Sequence, residues 1–220
     1  MIRVGVVLSG CGVYDGSEIH EAVLSLLAIG KAGAEALCMA PDIDQMHAMN
    51  HFSGQPDEAD RRSVLVEAAR IARGKVLDMA TVRADEIDAL VFPGGYGAAK
   101  NLCDFAVKGA DCTVNEQVKR LVKEMLAAGK PLAGICIAPV ILARIIGPQQ
   151  PPVRLTIGGD VDTAAALQAM GAEHVNCPVD QVVVDGHYKI VTTPAYMLAD
   201  NIVQVGTGIE KAIEQLLALI

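Results

Sequence analysis

Tryptophan is absent from this 220-residue chain, and the other aromatics amount to three Phe and four Tyr. A base-stacking platform for single-stranded nucleic acid has no material here. Basic residues are scarce as well. Lys and Arg number 18 against 26 Asp and Glu, the formal charge is −8, and no basic run exceeds Arg61-Arg62. That balance excludes an electrostatic grip on nucleic acid or on an anionic lipid surface. No apolar run reaches the length of a membrane span. Six cysteines are too sparse for a disulfide framework, and Cys38 sits inside an apolar, strand-like run. Reduced thiols in a cytosol-like compartment follow. The opening Met1-Ile2-Arg3-Val4-Gly5-Val6 reads as a strand and lacks the parts of a signal peptide, so a cytoplasmic location is expected.

What the chain does have is apolar residues, 52% of the total. At this length they suffice for a sizeable core, and one domain over residues 1–220 is the simplest reading. Ile2 to Leu8, Ala34 to Ala40, Asp88 to Phe92 and Leu132 to Ile135 are short apolar runs that stop at Gly or Pro, as buried strands do. Helical spacing appears between them. The first helix carries Ile19, Val23, Leu26 and Leu27, with Ser17 or Asp15 as cap. Thr113 to Glu116 reads as a capping box before Val118, Leu121, Val122 and Met125. Val182-Val183-Val184 and Lys189-Ile190-Val191 flank Asp185-Gly186 as a hairpin, and a last helix presents Leu198, Ile202, Val205, Ile209 and Ile213. Continuous apolar strands alternating with helices specify an α/β fold, with a central, mostly parallel sheet covered on both faces.

In such a sheet, ligands bind beyond the carboxyl ends of the strands. Cys136 is the strongest signal there. In Gly134-Ile135-Cys136-Ile137-Ala138-Pro139 it stands between a strand and a helix with small neighbours, in the manner of a nucleophile elbow. A thiol at a helix N-terminus is expected to have a lowered pKa. The alternative is a small buried hydrophobe. Pro93-Gly94-Gly95 follows another strand, and its amides, with the N–H of Ile137, could form an oxyanion hole; a plain tight turn is the alternative. Glu18 and Glu21 open the first helix. One of them reaching the Cys136 sulfur would be protonated there and could act as general acid and base; ordinary capping is the alternative. Cys11, Glu21, Gly94 and Thr193 are placed at the rim of the site. Gly10 to Gly16 resembles a relaxed dinucleotide fingerprint, but the helix starts too late to receive a phosphate. His47 and His51 lie i, i+4 without a helical pattern, and Cys103, Cys112 and Cys177 lack metal spacing, so no metal is expected.

These segments together resemble the DJ-1/PfpI family of the class I glutamine amidotransferase-like superfamily. Four of them stand in the family's order: the acidic start of helix one, Pro93-Gly94-Gly95, the elbow around Cys136, and the stretch from Met170 to Pro194. Ser9 to Glu21, Phe92 to Leu102, Cys136 to Pro139 and Thr192 to Met197 are similar to one subfamily, the ElbB-type isoprenoid biosynthesis glyoxalases or enhancing lycopene biosynthesis proteins. The resemblance implies a flavodoxin-like three-layer sandwich, a homodimer, and a cofactor-independent glyoxalase III-type lyase. Such an enzyme converts a small reactive dicarbonyl, glyoxal or methylglyoxal, to the hydroxy acid. Carried over, Cys136 is the nucleophile, Glu18 the acidic partner, and Gly95 and Ile137 the backbone donors. Many superfamily members place a His about twenty residues after the Cys; this chain has Thr156 and Ile157 there, which implies low activity. The alternative is a redox-sensing, stress-protective or metabolite-binding protein linked to isoprenoid biosynthesis.

Overall fold

The apolar runs are too short for stable isolated helices, and each finds its backbone partners in neighbouring strands instead. The computed structural model describes all of residues 1–220. Along the chain run β1 (Arg3–Val7), α1 (Ile19–Lys31), β2 (Glu35–Ala40), β3 (Met49–Asn50), β4 (Gln55–Pro56), α2 (Val64–Ile71) and β5 (Leu77–Asp78). Then come β6 (Ala89–Phe92), α3 (Tyr96–Lys100), α4 (Phe105–Lys108), α5 (Glu116–Ala127), β7 (Leu132–Ile135) and α6 (Pro139–Ile146). The last third holds β8 (Arg154–Leu155), α7 (Val161–Ala169), β9 (Glu173–His174), β10 (Val183–Asp185), β11 (Ile190–Thr193) and α8 (Ile202–Ala218).

Seven strands form the central sheet in the order β10-β11-β7-β6-β1-β2-β5. All neighbouring pairs are parallel except the β10–β11 hairpin at one edge. The chain builds outward from β1 through β2 to β5, then returns to β6 on the other side of β1. That reversal opens a crevice beyond the carboxyl ends of β1 and β6. Successive residues of each strand serve opposite faces. Leu90 and Phe92 enter one core cluster with Leu121 and Met125 of α5, while Ala89 and Val91 enter the other with Ile29 of α1 and Ile209 of α8. The α/β sandwich with a mostly parallel sheet is as expected.

Several local expectations change. The cap of α1 is Glu18, not Ser17 or Asp15; the Ser17 hydroxyl instead accepts the Ser9 N–H at 2.9 Å. The buried face of α1 is Glu21, Ala22, Ser25, Ala28 and Ile29, whereas Ile19, Val23 and Leu27 are 43%, 47% and 51% exposed. Small residues let α1 lie close to α8, and this rotates the larger apolar side chains outward. Helix α5 is capped by Asn115, whose Oδ1 accepts from Gln117 and Val118, because Thr113 is occupied pairing with Asp104. Leu198 precedes α8, which begins only after the Asn201 cap. Strand β8 joins β9 in a separate two-stranded ladder rather than the main sheet. No helix is long and apolar enough to cross a membrane.

Leu121 is fully buried between α5 and the sheet. Leu121→Ala is expected to lower unfolding stability by about 2–5 kcal/mol, read from the urea midpoint at unchanged slope.

Candidate active site

Cys136 follows β7 directly, with φ of +61°. A non-glycine residue in that region costs on the order of 1–3 kcal/mol and persists only where its surroundings hold it. Here its N–H donates to the Thr193 carbonyl at 3.0 Å, and the Ala138 N–H returns to the Ile135 carbonyl at 3.0 Å. Pro139 stands at the first position of α6, where its missing N–H costs no hydrogen bond. The turn leaves Cys136 7% exposed in the wall of a cavity of about 410 Å³. The cavity is lined by Val13, Glu18, Gly95, Tyr96, Phe105, Ile137, Tyr196 and Met197 among others.

Glu21 is the acid beside that sulfur. It is fully buried in the first turn of α1, and its carboxyl lies beside the Cys136 thiol, close enough for each group to shift the other's pKa. Its Oε2 accepts the Gly94 N–H at 2.9 Å and its Oε1 the Tyr196 N–H at 3.2 Å. Burial first, and then the neighbouring Glu18 charge, push its pKa up to about 8. Glu18 lines the cavity, but its Oε2 turns back to accept the Glu21 N–H at 2.7 Å. The assignment of Glu18 as acidic partner is therefore corrected: Glu18 caps α1, and Glu21 touches the sulfur. The cap position turns its side chain along the helix axis, whereas the third helical position lies on the sheet-facing side. The recurrence of Glu21, Ala22, Ser25, Ala28 and Ile29 is the signal that could have found it.

The backbone N–H groups of Gly95 and Ile137 lie near the sulfur and favour the thiolate. Burial and the Glu21 charge outweigh them, so the thiol pKa is raised, opposite to the expected fall. The reason is enclosure: the short α6 and two amides do not replace the lost water. Gly94 and Gly95 are sterically required. A Cβ on Gly94 would lie 2.5 Å from the Cys136 Cβ, and one on Gly95, at φ +91°, would lie 2.3 Å from the Glu18 nitrogen.

Other proposed residues do not line the cavity, although the Thr193 carbonyl holds the elbow. Cys11 lines a different cavity, with Arg62, Glu67 and Arg70. Thr193 is fully buried, its hydroxyl donating to the Gln181 carbonyl at 2.9 Å. In the Gly10–Gly16 loop, Gly12, Asp15 and Gly16 spend their amides on Ser17 and Gly12 carbonyls, which leaves no phosphate cradle there. Thr156, at the position where superfamily members carry His, is buried and donates its N–H to the Thr192 hydroxyl at 2.9 Å. No group of three His, Cys, Asp or Glu side chains is placed to hold a metal ion.

Three residues have roles that the sequence did not assign. Asn101 donates to the Ser9 and Asp15 carbonyls, each at 2.8 Å, and so pins the loop after β1. The Tyr196 ring walls the cavity, and its hydroxyl meets His20 Nδ1 at 2.7 Å. These contacts join residues far apart in the chain, and no local pattern announces them.

The parallel sheet, the cysteine elbow and its buried acid define a class, and residues 13–197 match the model of the DJ-1/PfpI family. The chain belongs to that family. It is 46% identical over 226 residues to a human protein, the mitochondrial glutamine amidotransferase-like class 1 domain-containing protein 3, covering 99% of this chain and 83% of the relative. It superposes with a TM-score of 0.92 on an Ehrlichia chaffeensis isoprenoid biosynthesis protein with an amidotransferase-like domain, at 34% identity and 100% of both chains. A Thermococcus kodakarensis deglycase is 33% identical over 147 residues, 61% of this chain and 76% of the relative. The mitochondrial naming of the human protein is shared by relatives from Rattus norvegicus and Danio rerio. The expectation of a cytoplasmic location is corrected accordingly: these relatives are named as mitochondrial proteins.

A carboxyl held near 8 binds its proton more tightly in the folded than in the unfolded chain. Its stabilising contribution is full below the ordinary carboxyl value of 4.5 and is lost as pH rises through about 8. Glu21→Gln is therefore expected to gain stability relative to the native protein between about pH 4.5 and about pH 8 in thermal denaturation, with no further change above. A difference independent of pH removes the buried-acid assignment.

Proposed function

We propose that this protein is a cofactor-independent glyoxalase, which converts a 2-oxoaldehyde and water to the 2-hydroxy acid. The observation that carries the reading is the Glu21 carboxyl held against the sulfur of a strained Cys136 in a cavity wall. A family that includes a named deglycase agrees with carbonyl chemistry at this cysteine.

The reactive form is the pair short of one proton. With that proton on Glu21 and the charge on sulfur, the Gly95 and Ile137 amides support the thiolate. The sulfur forms a bond to the aldehyde carbon while the carbonyl π pair becomes an alkoxide, protonated by Glu21. As charge leaves the sulfur, the two amides are freed for that oxygen. Glu21, now a carboxylate, takes the C1 proton, and the electron pair enters an enediol. The C1 hydroxyl proton passes to the C2 oxygen and the abstracted proton returns to C2, which leaves a thioester, with C1 oxidised and C2 reduced by the same two electrons. Water cleaves the thioester, which releases the hydroxy acid and restores the thiol. No external oxidant or reductant enters the balance. With a threonine where an imidazole would stand, turnover is expected to be modest.

Cys136→Ala is expected to abolish conversion of methylglyoxal to lactate, with an unchanged far-ultraviolet circular dichroism spectrum. Undiminished lactate formation in that variant would falsify the proposal. In the native protein kcat/KM should rise with pH through about 8, as Glu21 loses its proton to join the reactive form. Glu21→Gln should flatten that rise and lower the rate about 100-fold or more.

A second reading is a redox sensor, favoured by the three hydrogen-bonding groups around one sulfur. Gain of two oxygens at Cys136 in mild peroxide, without dicarbonyl consumption, would select it. The name of the Ehrlichia relative supports a link to isoprenoid biosynthesis under either reading. Pairing of two copies belongs to the same proposal, supported by the exposed row Ile19, Val23 and Leu27 on α1. Val23→Glu is then expected to shift the native mass in light scattering from dimer to monomer.

A further inference from the structure

We propose that the cavity above Cys136 selects 2-oxoaldehydes that carry an uncharged, apolar substituent, aryl or branched alkyl, over glyoxal and over anionic analogues. This inference rests on the glyoxalase reading and adds the substrate class to it. Size is the first observation. A cavity of about 410 Å³ lies within the range that encloses a ligand of many atoms. Glyoxal, with four non-hydrogen atoms, leaves most of that space to water.

The walls are the second observation. Val13, Ala99, Phe105, Ile137 and Met197 face the cavity, together with the rings of Tyr96 and Tyr196. With the aldehyde carbon bound to sulfur, the substituent on the second carbonyl lies against these side chains. Its transfer from water is favourable in proportion to the apolar area buried.

Charge is the third. The ionisable carboxyls in the lining are Glu18 and Asp160, and no Lys or Arg joins them. The Thr163 hydroxyl, and then the Thr163 N–H that Asp160 accepts at 2.8 Å, hold the Asp160 carboxyl below the usual range. Lys100, on the helix that begins with Tyr96, is turned to the Tyr14 carbonyl at 3.0 Å and lies 5.4 Å from the centre of the Tyr96 ring. A substrate bearing a carboxylate or phosphate would meet two carboxylates and no counter-charge.

The chemistry needs nothing further. R–CO–CHO and water become R–CHOH–COOH, with the aldehyde carbon oxidised and the ketone carbon reduced inside one molecule. Only R differs along the series, so differences in rate report the pocket.

The test compares kcat/KM of the native protein for glyoxal, methylglyoxal, phenylglyoxal and 4-carboxyphenylglyoxal. Phenylglyoxal is expected to exceed glyoxal by about 10-fold or more, from burial of the ring. The carboxylated analogue is expected to fall about 10-fold below phenylglyoxal. Phe105→Ala should reduce the phenylglyoxal-to-methylglyoxal ratio severalfold. Asp160→Asn, which retains a capping side chain, should raise the carboxylated analogue relative to phenylglyoxal. Glyoxal equal to or better than phenylglyoxal, or indifference to the added carboxylate, overturns the inference.

A measurement without turnover separates this claim from the reaction itself. Acetophenone is expected to protect Cys136 from iodoacetamide at concentrations where acetone and benzoate do not. Protection by acetophenone alone, with no dicarbonyl consumed, refutes the glyoxalase reading and leaves the selectivity standing. Equal protection by all three overturns the selectivity.

Discussion

A single buried carboxyl ties four parts of the chain together. Glu21 reaches from α1 to the Gly94 amide after β6, the Tyr196 amide after β11 and the Cys136 sulfur after β7. Each partner lies beyond the carboxyl end of a different element, so the contact depends on the sheet's order and on the close seat of α1. An isolated charge in this position would be costly. The site answers by holding the group as an acid over most of the physiological range, with its pKa near 8. The same enclosure that makes the carboxyl weakly acidic also raises the thiol. Below that value the pair keeps both protons, and above it the two groups share one negative charge.

The surrounding rigidity follows from that enclosure. Gly94 and Gly95 are there because the backbone after β6 passes within contact distance of both the elbow and the cap of α1, where a Cβ would clash. Cys136 holds its left-handed backbone because its amide is fixed to β11 and the next residues are already turning into α6. Asn101 performs the equivalent service for the loop after β1. The strain sits where the reactive atom must be presented, and it is compensated by packing that includes two large core clusters on opposite sheet faces.

Much of the site was legible in local sequence. Cys136 stands out because a strand, a turn of small residues and a proline-initiated helix can be read in order. Pro93-Gly94-Gly95 stands out for the same reason. Glu21 was visible only as one of two acids at a helix start. Choosing between Glu18 and Glu21 required the rotation of α1, and that rotation is set by contacts with α8 and the sheet. The apolar residues of α1 misled: Ile19, Val23 and Leu27 look like a core face, yet the small residues make the buried one. The direction of the thiol shift was also missed, since a helix-terminus argument carries no information about how much water remains.

By itself the sequence determined the architecture, because strand-length apolar runs alternating with helical periodicity leave few other ways to bury their faces. It also placed Cys136 at a strand-to-helix elbow, because an elbow is a local backbone event. Tertiary structure alone decided which acid meets the sulfur, what walls the cavity, and that Cys11 and Thr193 stand apart from it. Those are distances between residues tens of positions apart, fixed by helix rotation and loop packing, and no short window of sequence encodes them.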